Sequence, residues 1–309
     1  MKILMVGAGG VGGYFGGRLA AAGEDVTFIA RGPHLAALQA RGLRIESPLG
    51  LVRLESVEAV ETADGLGDFD VVFIAVKLGD TASAIEASRD AVGPGTTVVS
   101  LQNGLAADDL LIAAFGVERV VGGVAYIASQ VAAPGVIRHT GTNQRIQIGE
   151  LDGGISPRID RIAAALGRAG IDVESVGNIT YAMWEKFVFL VGLAATTSLT
   201  LEPIGVIRAD PDMRGFLRAV MAEAAAVGRA RGIDFADDYA DQRLAFADSL
   251  PADMTSSMYH DLVAGKPLEL DWLSGSVMRM GRDSGIDTPV NATVYAALKS
   301  RRTGNSAGS

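Results

Sequence analysis

Short apolar runs alternate with segments of helical periodicity along the first 177 residues. Unbroken apolar runs are typical of strands that are buried on both faces, as they are in parallel sheets. We expect strands at 2–6, 25–30, 70–76, 97–101 and 120–125. We expect helices between them at 14–22, 34–41, 81–91 and 107–115. This alternation predicts an α/β domain built on a doubly wound, mostly parallel sheet.

The pattern changes in two steps farther along the chain. Residues 136–139 and 145–148 have the pattern of antiparallel edge strands, and residues 157–169 have helical periodicity. After about residue 177 strand signals nearly vanish, and helical periodicity is found at 181–200, 214–231, 236–246, 270–282 and 290–300. We therefore expect an α/β domain at 1–175, an all-α domain at 176–300 and a disordered polar tail at 301–309.

Glycine is concentrated in the first of these domains. The chain has 39 glycines in 309 residues, and 28 of them lie in residues 1–177. The usual share of glycine is only ~7%. The glycines stand among Val, Ile, Leu and Ala rather than in a polar linker, which indicates a domain with many tight turns and close backbone approaches.

Composition excludes several classes of protein. The absence of cysteine excludes a disulfide scaffold, a thiol nucleophile and a cysteine metal site, and it suits the cytoplasmic location that we expect. The formal net charge of -9 argues against a nucleic-acid partner, because no basic face is available to neutralise phosphates. The uncharged stretch at 187–201 is shorter than the ~20 residues that span a bilayer. We therefore expect a buried helix there, no membrane partner and no metal.

A glycine motif follows the first predicted strand and opens the first helix. It fits the pattern G-x-G-x-x-G, whose first glycine permits a tight turn, whose second lets a pyrophosphate approach and whose third allows close helix packing. The pyrophosphate binds the free N–H groups at the start of the helix. The cofactor-binding residues that this motif predicts are Gly7, Ala8, Gly9, Gly10, Val11 and Gly12.

The end of the second predicted strand indicates which dinucleotide binds. A site for NAD usually has an acidic residue there, which accepts hydrogen bonds from the ribose hydroxyls. This chain has Arg31 instead. A guanidinium cannot accept from a hydroxyl, but it can bind a 2′-phosphate through two hydrogen bonds. We therefore expect NADP(H) as the cofactor.

Three further polar residues stand where a ligand could meet them. Lys77 and Asn103 end two later strands, and ligands of open α/β sheets bind outside the carboxyl ends of the strands. Lys186 lies at the start of the long uncharged helix, where a lysine either extends to water or acts as a proton donor with a tuned pKa. His34 and His139 fall in predicted surface segments, so acid catalysis by a lysine is the more plausible chemistry.

Taken together, these motifs resemble the ketopantoate reductases over about residues 1–300. The resemblance rests on MKILMVGAGGVGGYFGGRLA, Arg31, the VK at Lys77, the QNG at Asn103, the MWEK at Lys186, the TSSM at Ser257 and KPLELDWLSG around Glu269. It implies a Rossmann domain followed by an all-helical domain, with the active site in the cleft between them. It also implies reduction of a 2-oxo acid to a 2-hydroxy acid by NADPH, in the pathway to pantothenate.

The resemblance also implies roles for individual residues. The family's proton-donating lysine falls on Lys186, and Glu269 would orient that lysine or hold cofactor and substrate. Asn103 falls on the asparagine near nicotinamide and substrate, Ser257 on the substrate-binding serine and Ala128 on an alanine that contacts the cofactor after a strand. Glu269, Lys77 and Asn103 are implied as cofactor contacts as well, and Asn103 and Glu269 as part of the catalytic set.

Some positions depart from the family pattern. Leu190, Ala194 and Ile204 stand where asparagines commonly bind substrate, and Ser274 stands where asparagine is frequent. A site without such hydrogen bonds can lose orders of magnitude of discrimination. The departures therefore leave open a more apolar 2-oxo acid or another carbonyl compound as substrate.

Two other functions and one assembly state stay open. A dehydrogenase of the β-hydroxyacid or 6-phosphogluconate type would also use a lysine on such a helix, although the pairing of Ser257 with Glu269 favours the ketopantoate group. A non-catalytic NADP-binding sensor would bind NADPH without turning over any 2-oxo acid. A homodimer formed through the helical domain also stays open.

Overall fold

The computed structural model describes residues 1–304 and divides into two compact units, Met1–Met183 and Trp184–Ser309. Residues 305–309, the end of the expected disordered tail, lie outside the described part. The start of that tail is ordered, because the Leu268 N–H donates a hydrogen bond to the Arg302 carbonyl at 2.9 Å. Regular backbone therefore continues past residue 300, where we expected the helical domain to end.

The first unit is built around one sheet. Its strands are, in chain order, β1 (Lys2–Val6), β2 (Asp25–Ile29), β3 (Leu43–Glu46), β4 (Val52–Leu54), β5 (Glu58–Val60), β6 (Val71–Ile74), β7 (Thr97–Ser100), β8 (Val120–Ala133), β9 (Val136–Gly149) and β10 (Asp172–Ser175). They lie in the order β4-β3-β9-β8-β7-β6-β1-β2-β5, and β10 also pairs with β9. From β5 to β8 every pairing is parallel. This confirms the predicted doubly wound, mostly parallel sheet.

Helices cover both faces of the parallel strands. They are α1 (Gly10–Ala21), α2 (Gly32–Arg41), α3 (Thr81–Ser88), α4 (Ala106–Phe115) and α5 (Pro157–Arg168). Side chains alternate along β1, so that Ile3 and Met5 join a core with α1 and α5, whereas Leu4 and Val6 join a second core with α3 and α4. The sheet therefore separates two apolar cores within one unit.

The antiparallel part of the sheet is larger than the sequence predicts. The two short strands expected at 136–139 and 145–148 are one strand, β9, which pairs antiparallel with β8. The expectation that they lie at an edge is wrong, because β9 has β8 on one side and β3 and β10 on the other. Short strands such as β3 (LRIE) and β10 (DVES) have little apolar sequence, and they become strands by pairing with β9.

Helix α1 lies unusually close to the sheet because glycines face its neighbours. A Cβ atom on Gly13 would lie 2.7 Å from the Ile137 side chain, and one on Gly16 would lie 2.5 Å from the Phe28 ring. Both distances are shorter than real Cβ contacts. These two glycines permit close packing of a helix, which is one of the close backbone approaches that the glycine content predicts.

The regular elements of the second unit, within its described residues, are all helices. Helix α6 (Ile179–Thr200) begins in the first unit along the chain, and it is followed by α7 (Ile204–Ala209), α8 (Pro211–Ala230), α9 (Tyr239–Asp248), α10 (Ser257–Val263), α11 (Ser274–Ser284) and α12 (Pro289–Leu298). Short 3-10 helices occur at Glu269–Asp271 and Lys299–Arg301. The all-α character is confirmed, although the short helix α7 was not predicted.

Helix α6 is long and apolar enough to cross a membrane by length and composition alone. However, 61% of its most apolar window is buried in protein. Core helices pass the same test of composition, so the burial supports the buried helix that the sequence predicts at 187–201.

Candidate active site

The glycine loop between β1 and α1 depends on glycine at its first position. Gly7 has φ +95°, and a Cβ atom there would lie 2.7 Å from the Val76 side chain. The N–H groups of Gly7 and Ala8 both donate to the Ile29 carbonyl, at 3.0 and 3.2 Å. Two hydrogen bonds from consecutive residues to one carbonyl hold the turn against the end of β2. The loop thus lies at the carboxyl end of β1, which has β2 on one side and β6 on the other, and ligands of doubly wound sheets bind at such a reversal of strand order.

Two other glycines of the motif lie against backbone atoms rather than beside open space for a ligand. A Cβ atom on Gly12 would lie 2.0 Å from the Gly7 carbonyl oxygen, and one on Gly10 would lie 2.2 Å from the Ser129 carbonyl oxygen. Any side chain at these positions would push the start of α1 away from the loop or from β8. Gly12 therefore has the packing role that the motif predicts, and Gly10 has a second one of the same kind.

Among the four glycines of the motif, Gly9 is the one that the fold itself does not require. Its φ of -69° is open to any residue, and a Cβ atom there would have nothing within 4 Å. No side chain caps the start of α1, where Gly9 is the N-cap. Uncapped N–H groups beside open space suit an anion. The residues present therefore fit a pyrophosphate, which would occupy the space that a side chain would take.

Arg31 lies at the other end of the same crevice. It is the N-cap of α2, directly after β2, and its side chain is exposed. Within residues 1–304 its guanidinium makes no ion pair. An exposed guanidinium at this position is available to a phosphate group.

The remaining predicted residues of the first unit lie on neighbouring strands. Lys77 is exposed just after β6, and Asn103 is half-buried between β7 and α4. Ala128 was expected after a strand but lies within β8, where the register with β9 shifts between Ile127 and Ala128. The strand does not end at residue 125, because its partner β9 continues alongside it.

Lys186 and Glu269 come together in the second unit. Lys186 is half-buried on α6, and burial lowers the pKa of its ammonium group from 10.5 to about 8. The negative charge of Glu269, from the 3-10 helix Glu269–Asp271, opposes that shift of the pKa. A lysine with such a pKa can both hold and release a proton near neutral pH.

The two serines of the TSSM segment have different environments. Ser256 is buried, accepts a hydrogen bond from the Tyr259 N–H at 3.0 Å and hydrogen-bonds to the Thr197 hydroxyl at 2.8 Å. It therefore caps α10 and ties that helix to α6. Ser257, the predicted substrate contact, is the exposed first residue of α10, so its hydroxyl is the accessible one.

The positions that depart from the family pattern differ in accessibility. Leu190 and Ala194 follow Lys186 by four and eight residues and so share its face of α6. Ala194 and Ile204 have 0% exposure, and Ser274 has 1%. Only Leu190 among these residues keeps accessible surface in the structure, so only Leu190 offers apolar surface to a ligand.

Three features near these residues were missed or misjudged. His34 and His139 were expected on the surface, but His34 is half-buried and hydrogen-bonded to the glycine loop, and His139 is buried to 2% exposure. Asp108 is buried on α4, five residues after Asn103. The only sequence signal for His34 was its place at the start of the helix predicted at 34–41, three residues after Arg31. Within residues 1–304 no cluster of three or more His, Asp or Glu residues could hold a metal.

Comparison with known proteins gives consistent matches along the whole chain. The family model "Ketopantoate reductase PanE/ApbA" matches residues 3–153, and "Ketopantoate reductase PanE/ApbA C terminal" matches residues 178–302. An uncharacterized oxidoreductase of Bacillus subtilis, YkpB, is 34% identical over 97% of this chain and 98% of its own. The 2-dehydropantoate 2-reductase of Mesorhizobium japonicum is 33% identical over 97% of each chain.

Solved structures agree with the sequence matches. The 2-dehydropantoate 2-reductase of Geobacter metallireducens is 32% identical, with a TM-score of 0.90 over 97% of this chain and 99% of that one. A D-mandelate dehydrogenase solved with NADH and anilino(oxo)acetate has the same TM-score of 0.90 at 19% identity. At that identity the second likeness is one of fold alone.

We predict that Asp108→Asn stabilises the protein above neutral pH. Neither carboxyl oxygen of Asp108 has a hydrogen-bond partner within residues 1–304, and burial, with the nearby charge of Asp109, raises its pKa from 3.8 to about 7. The folded state thus binds the proton more tightly than the unfolded state, so stability falls as pH rises from about 4 to about 7. Removing the charge should restore roughly 1–4 kcal/mol at pH 8.

Urea unfolding of wild type and variant across pH 3–9 measures this effect. Asp109→Asn, which changes the exposed neighbouring carboxylate, is the matched control and should give a smaller gain. Equal stability of wild type and Asp108→Asn at pH 8 would contradict the prediction.

Proposed function

The chain belongs to the ketopantoate reductase family and is an oxidoreductase of that family, and on this basis we propose that it reduces 2-dehydropantoate to pantoate with NADPH. The observation that carries the proposal is Lys186, a half-buried lysine whose pKa lies at about 8 beside the carboxylate of Glu269. A neutral ketone oxygen becomes an alkoxide during the reduction, so the reaction needs a cation and a proton at that oxygen.

The first unit would hold the cofactor. The uncapped start of α1 and the open space above Gly9 suit its pyrophosphate, and the exposed guanidinium of Arg31 suits its 2′-phosphate. Lys77 and Asn103 follow the ends of β6 and β7, and we propose them, with Ala128, as further cofactor contacts. When bound, NADPH supplies the hydride for the carbonyl carbon.

Lys186 would act on the carbonyl oxygen. In its charged form the ammonium group stabilises the negative charge that grows on that oxygen and then donates a proton to it. Glu269 favours the charged form of the lysine, because its negative charge raises the pKa against the effect of burial. Glu269 would thus keep the proton donor loaded at neutral pH, and its carboxylate would orient the ammonium group.

The accessibility of individual side chains indicates which other residues could contact the substrate. We propose that the accessible hydroxyl of Ser257 and the amide of Asn103 bind the polar groups of the substrate. Leu190 supports a second candidate substrate, a 2-oxo acid with a more apolar side chain, because it follows Lys186 by one helical turn and keeps accessible surface. The two candidates share cofactor, fold and hydride chemistry and differ only in the acid that is reduced.

NADPH oxidation measured over a panel of 2-oxo acids tests the proposal. We expect kcat/KM for 2-dehydropantoate within the ordinary range of roughly 10⁴–10⁸ M⁻¹s⁻¹. A higher value for acids with branched or aromatic side chains would favour the apolar substrate instead. Tight NADPH binding without turnover of any acid would contradict the proposed enzymatic function and would favour an NADP-binding sensor.

We predict that Lys186→Ala lowers kcat by roughly 10²- to 10⁴-fold, as expected for the loss of a positioned acid. In wild type the donor must be protonated, so kcat for reduction should fall as pH rises through the lysine pKa of about 8. The variant should lack this alkaline limb. Steady-state rates between pH 6 and 10 measure both effects, and Glu185→Ala, which alters the neighbouring side chain on α6, is the control. A wild-type profile that is flat across pH 8 would rule out this role.

We predict that Arg31→Ala weakens NADPH binding by roughly 10- to 150-fold, which corresponds to a charge-assisted hydrogen bond of ~1.5–3 kcal/mol. Affinity for NADH should change little, because NADH has no 2′-phosphate. Fluorescence titration with both nucleotides measures the ratio of the Kd for NADH to the Kd for NADPH. Arg53→Ala, at another exposed arginine of the same unit, is the control. If this ratio is unchanged in Arg31→Ala, Arg31 does not bind the 2′-phosphate.

A further inference from the structure

His34 connects three separate segments of the first unit. It lies in the first turn of α2, and its Nε2 is 2.8 Å from the Ala8 carbonyl oxygen in the glycine loop. Its Nδ1 accepts a hydrogen bond from the Gly135 N–H, at 3.1 Å, in the turn between β8 and β9. Because Nδ1 accepts, Nε2 must carry the proton and donate to Ala8. The two bonds therefore fix a single neutral tautomer.

The environment of His34 favours that neutral form. Burial lowers the pKa of the imidazole below its ordinary value of 6.5, and the hydrogen bond to Ala8 opposes this shift. A protonated ring would present a second N–H toward the Gly135 N–H, where no acceptor exists. The turn at Gly135 also lies against α2, since a Cβ atom there would be 3.3 Å from that of Ala37.

The bond to Ala8 acts on the peptide group that precedes Gly9. In a trans peptide the carbonyl of one residue and the N–H of the next lie in one plane and point in opposite directions. By holding the Ala8 carbonyl, His34 also sets the direction of the Gly9 N–H. Ala8 is held from its other side too, because its own N–H donates to the Ile29 carbonyl.

From this geometry we infer that His34 is a positioning residue for the pyrophosphate-binding loop. This inference rests on the proposed function, because it requires that the loop binds NADPH. His34 orients the Ala8–Gly9 peptide group through its hydrogen bond to the Ala8 carbonyl. The loop can then bind the pyrophosphate without reorganising. His34 affects cofactor affinity and leaves the proton donation by Lys186 unchanged. It is also three residues after Arg31, the N-cap of α2, so the start of this helix holds both the residue proposed for the 2′-phosphate and the support of the pyrophosphate loop.

Two conservative substitutions separate the two hydrogen bonds. In His34→Gln the side-chain amide reaches the position of Nε2 and can still donate to Ala8. In His34→Asn the amide oxygen takes the position of Nδ1 and can still accept from Gly135, but the bond to Ala8 is lost. His34→Ala removes both. Gln39→Ala is the matched control, because Gln39 is on the same helix and donates to the Ala59 carbonyl at 2.9 Å, away from the glycine loop.

NADPH titration of the full-length variants, followed by nucleotide fluorescence, is the test. We expect His34→Ala and His34→Asn to raise Kd about 3- to 10-fold, the effect of one ordinary hydrogen bond. His34→Gln and Gln39→Ala should stay within about twofold of wild type. Adenosine 2′-monophosphate, which has no pyrophosphate, should bind all variants equally. With saturating NADPH and a substrate that wild type reduces, kcat should be unchanged in every variant.

Each contrary result has a distinct meaning. Wild-type Kd values in His34→Ala would overturn the positioning role, and so would equal losses in the Gln and Asn variants. An equal loss of affinity for adenosine 2′-monophosphate would also overturn it, since His34 would then act on α2 as a whole. Thermal unfolding without nucleotide shows whether a variant is folded, and a loss of affinity that Gln39→Ala reproduces at equal Tm would count against the role. Wild type that fails to bind NADPH would overturn the proposed function itself.

Discussion

The close approach of helix α1 to the sheet is the constraint on which the first unit depends. At the start of the helix, a Cβ atom on Gly12 would clash with the Gly7 carbonyl and one on Gly10 would clash with the Ser129 carbonyl. The helix then continues with Gly13 and Gly16 against side chains of the sheet. A single methyl group at any of these places would move the helix, and with it the uncapped N–H groups at its start. The geometry of the loop is thus a result of packing along the whole first half of the helix.

This constraint also explains why the glycines of the motif are not equivalent. Gly7 needs a positive φ, and Gly10 and Gly12 need the absence of a side chain against backbone. Gly9 needs neither, because its φ is open to any residue and a Cβ atom there would meet nothing within 4 Å. Three glycines between Gly7 and Gly12 are therefore required by the fold, and the fourth, Gly9, is the one that we propose serves binding.

The first βαβ unit could be predicted from sequence because its signals are local. Strand β1 matches its predicted bounds, and α1 begins inside the glycine motif at Gly10, four residues before the start that we expected. Strands β3, β4, β5 and β10 could not be predicted in this way, because they are only three or four residues long and carry charged residues. Their extended backbone comes from strands that are distant in sequence, and no window of neighbouring residues contains that information.

The candidate site shows the same division between local and distant information. The chemistry of Arg31 and Lys186 could be proposed from residue type and position, and the role of Glu269 from the family resemblance. Whether Lys186 extends to water or is desolvated depends on what packs around it, and burial lowers its pKa to about 8. The contrast between Ser256 and Ser257 depends on Thr197, which is 59 residues away. The role of His34 depends on the β8–β9 turn, which is 101 residues away.

Strand β8 has a consequence for how the first unit unfolds. Its first residues pair in parallel with β7, and from Gly122 onward it pairs antiparallel with β9. One strand of 14 residues, with two register shifts against β9, thus belongs to both parts of the sheet and joins them through continuous backbone. Cooperative units of this kind open together rather than piece by piece. Since the turn at the end of β8 supports the glycine loop through His34, that loop shares the stability of the entire sheet and not merely that of a surface turn.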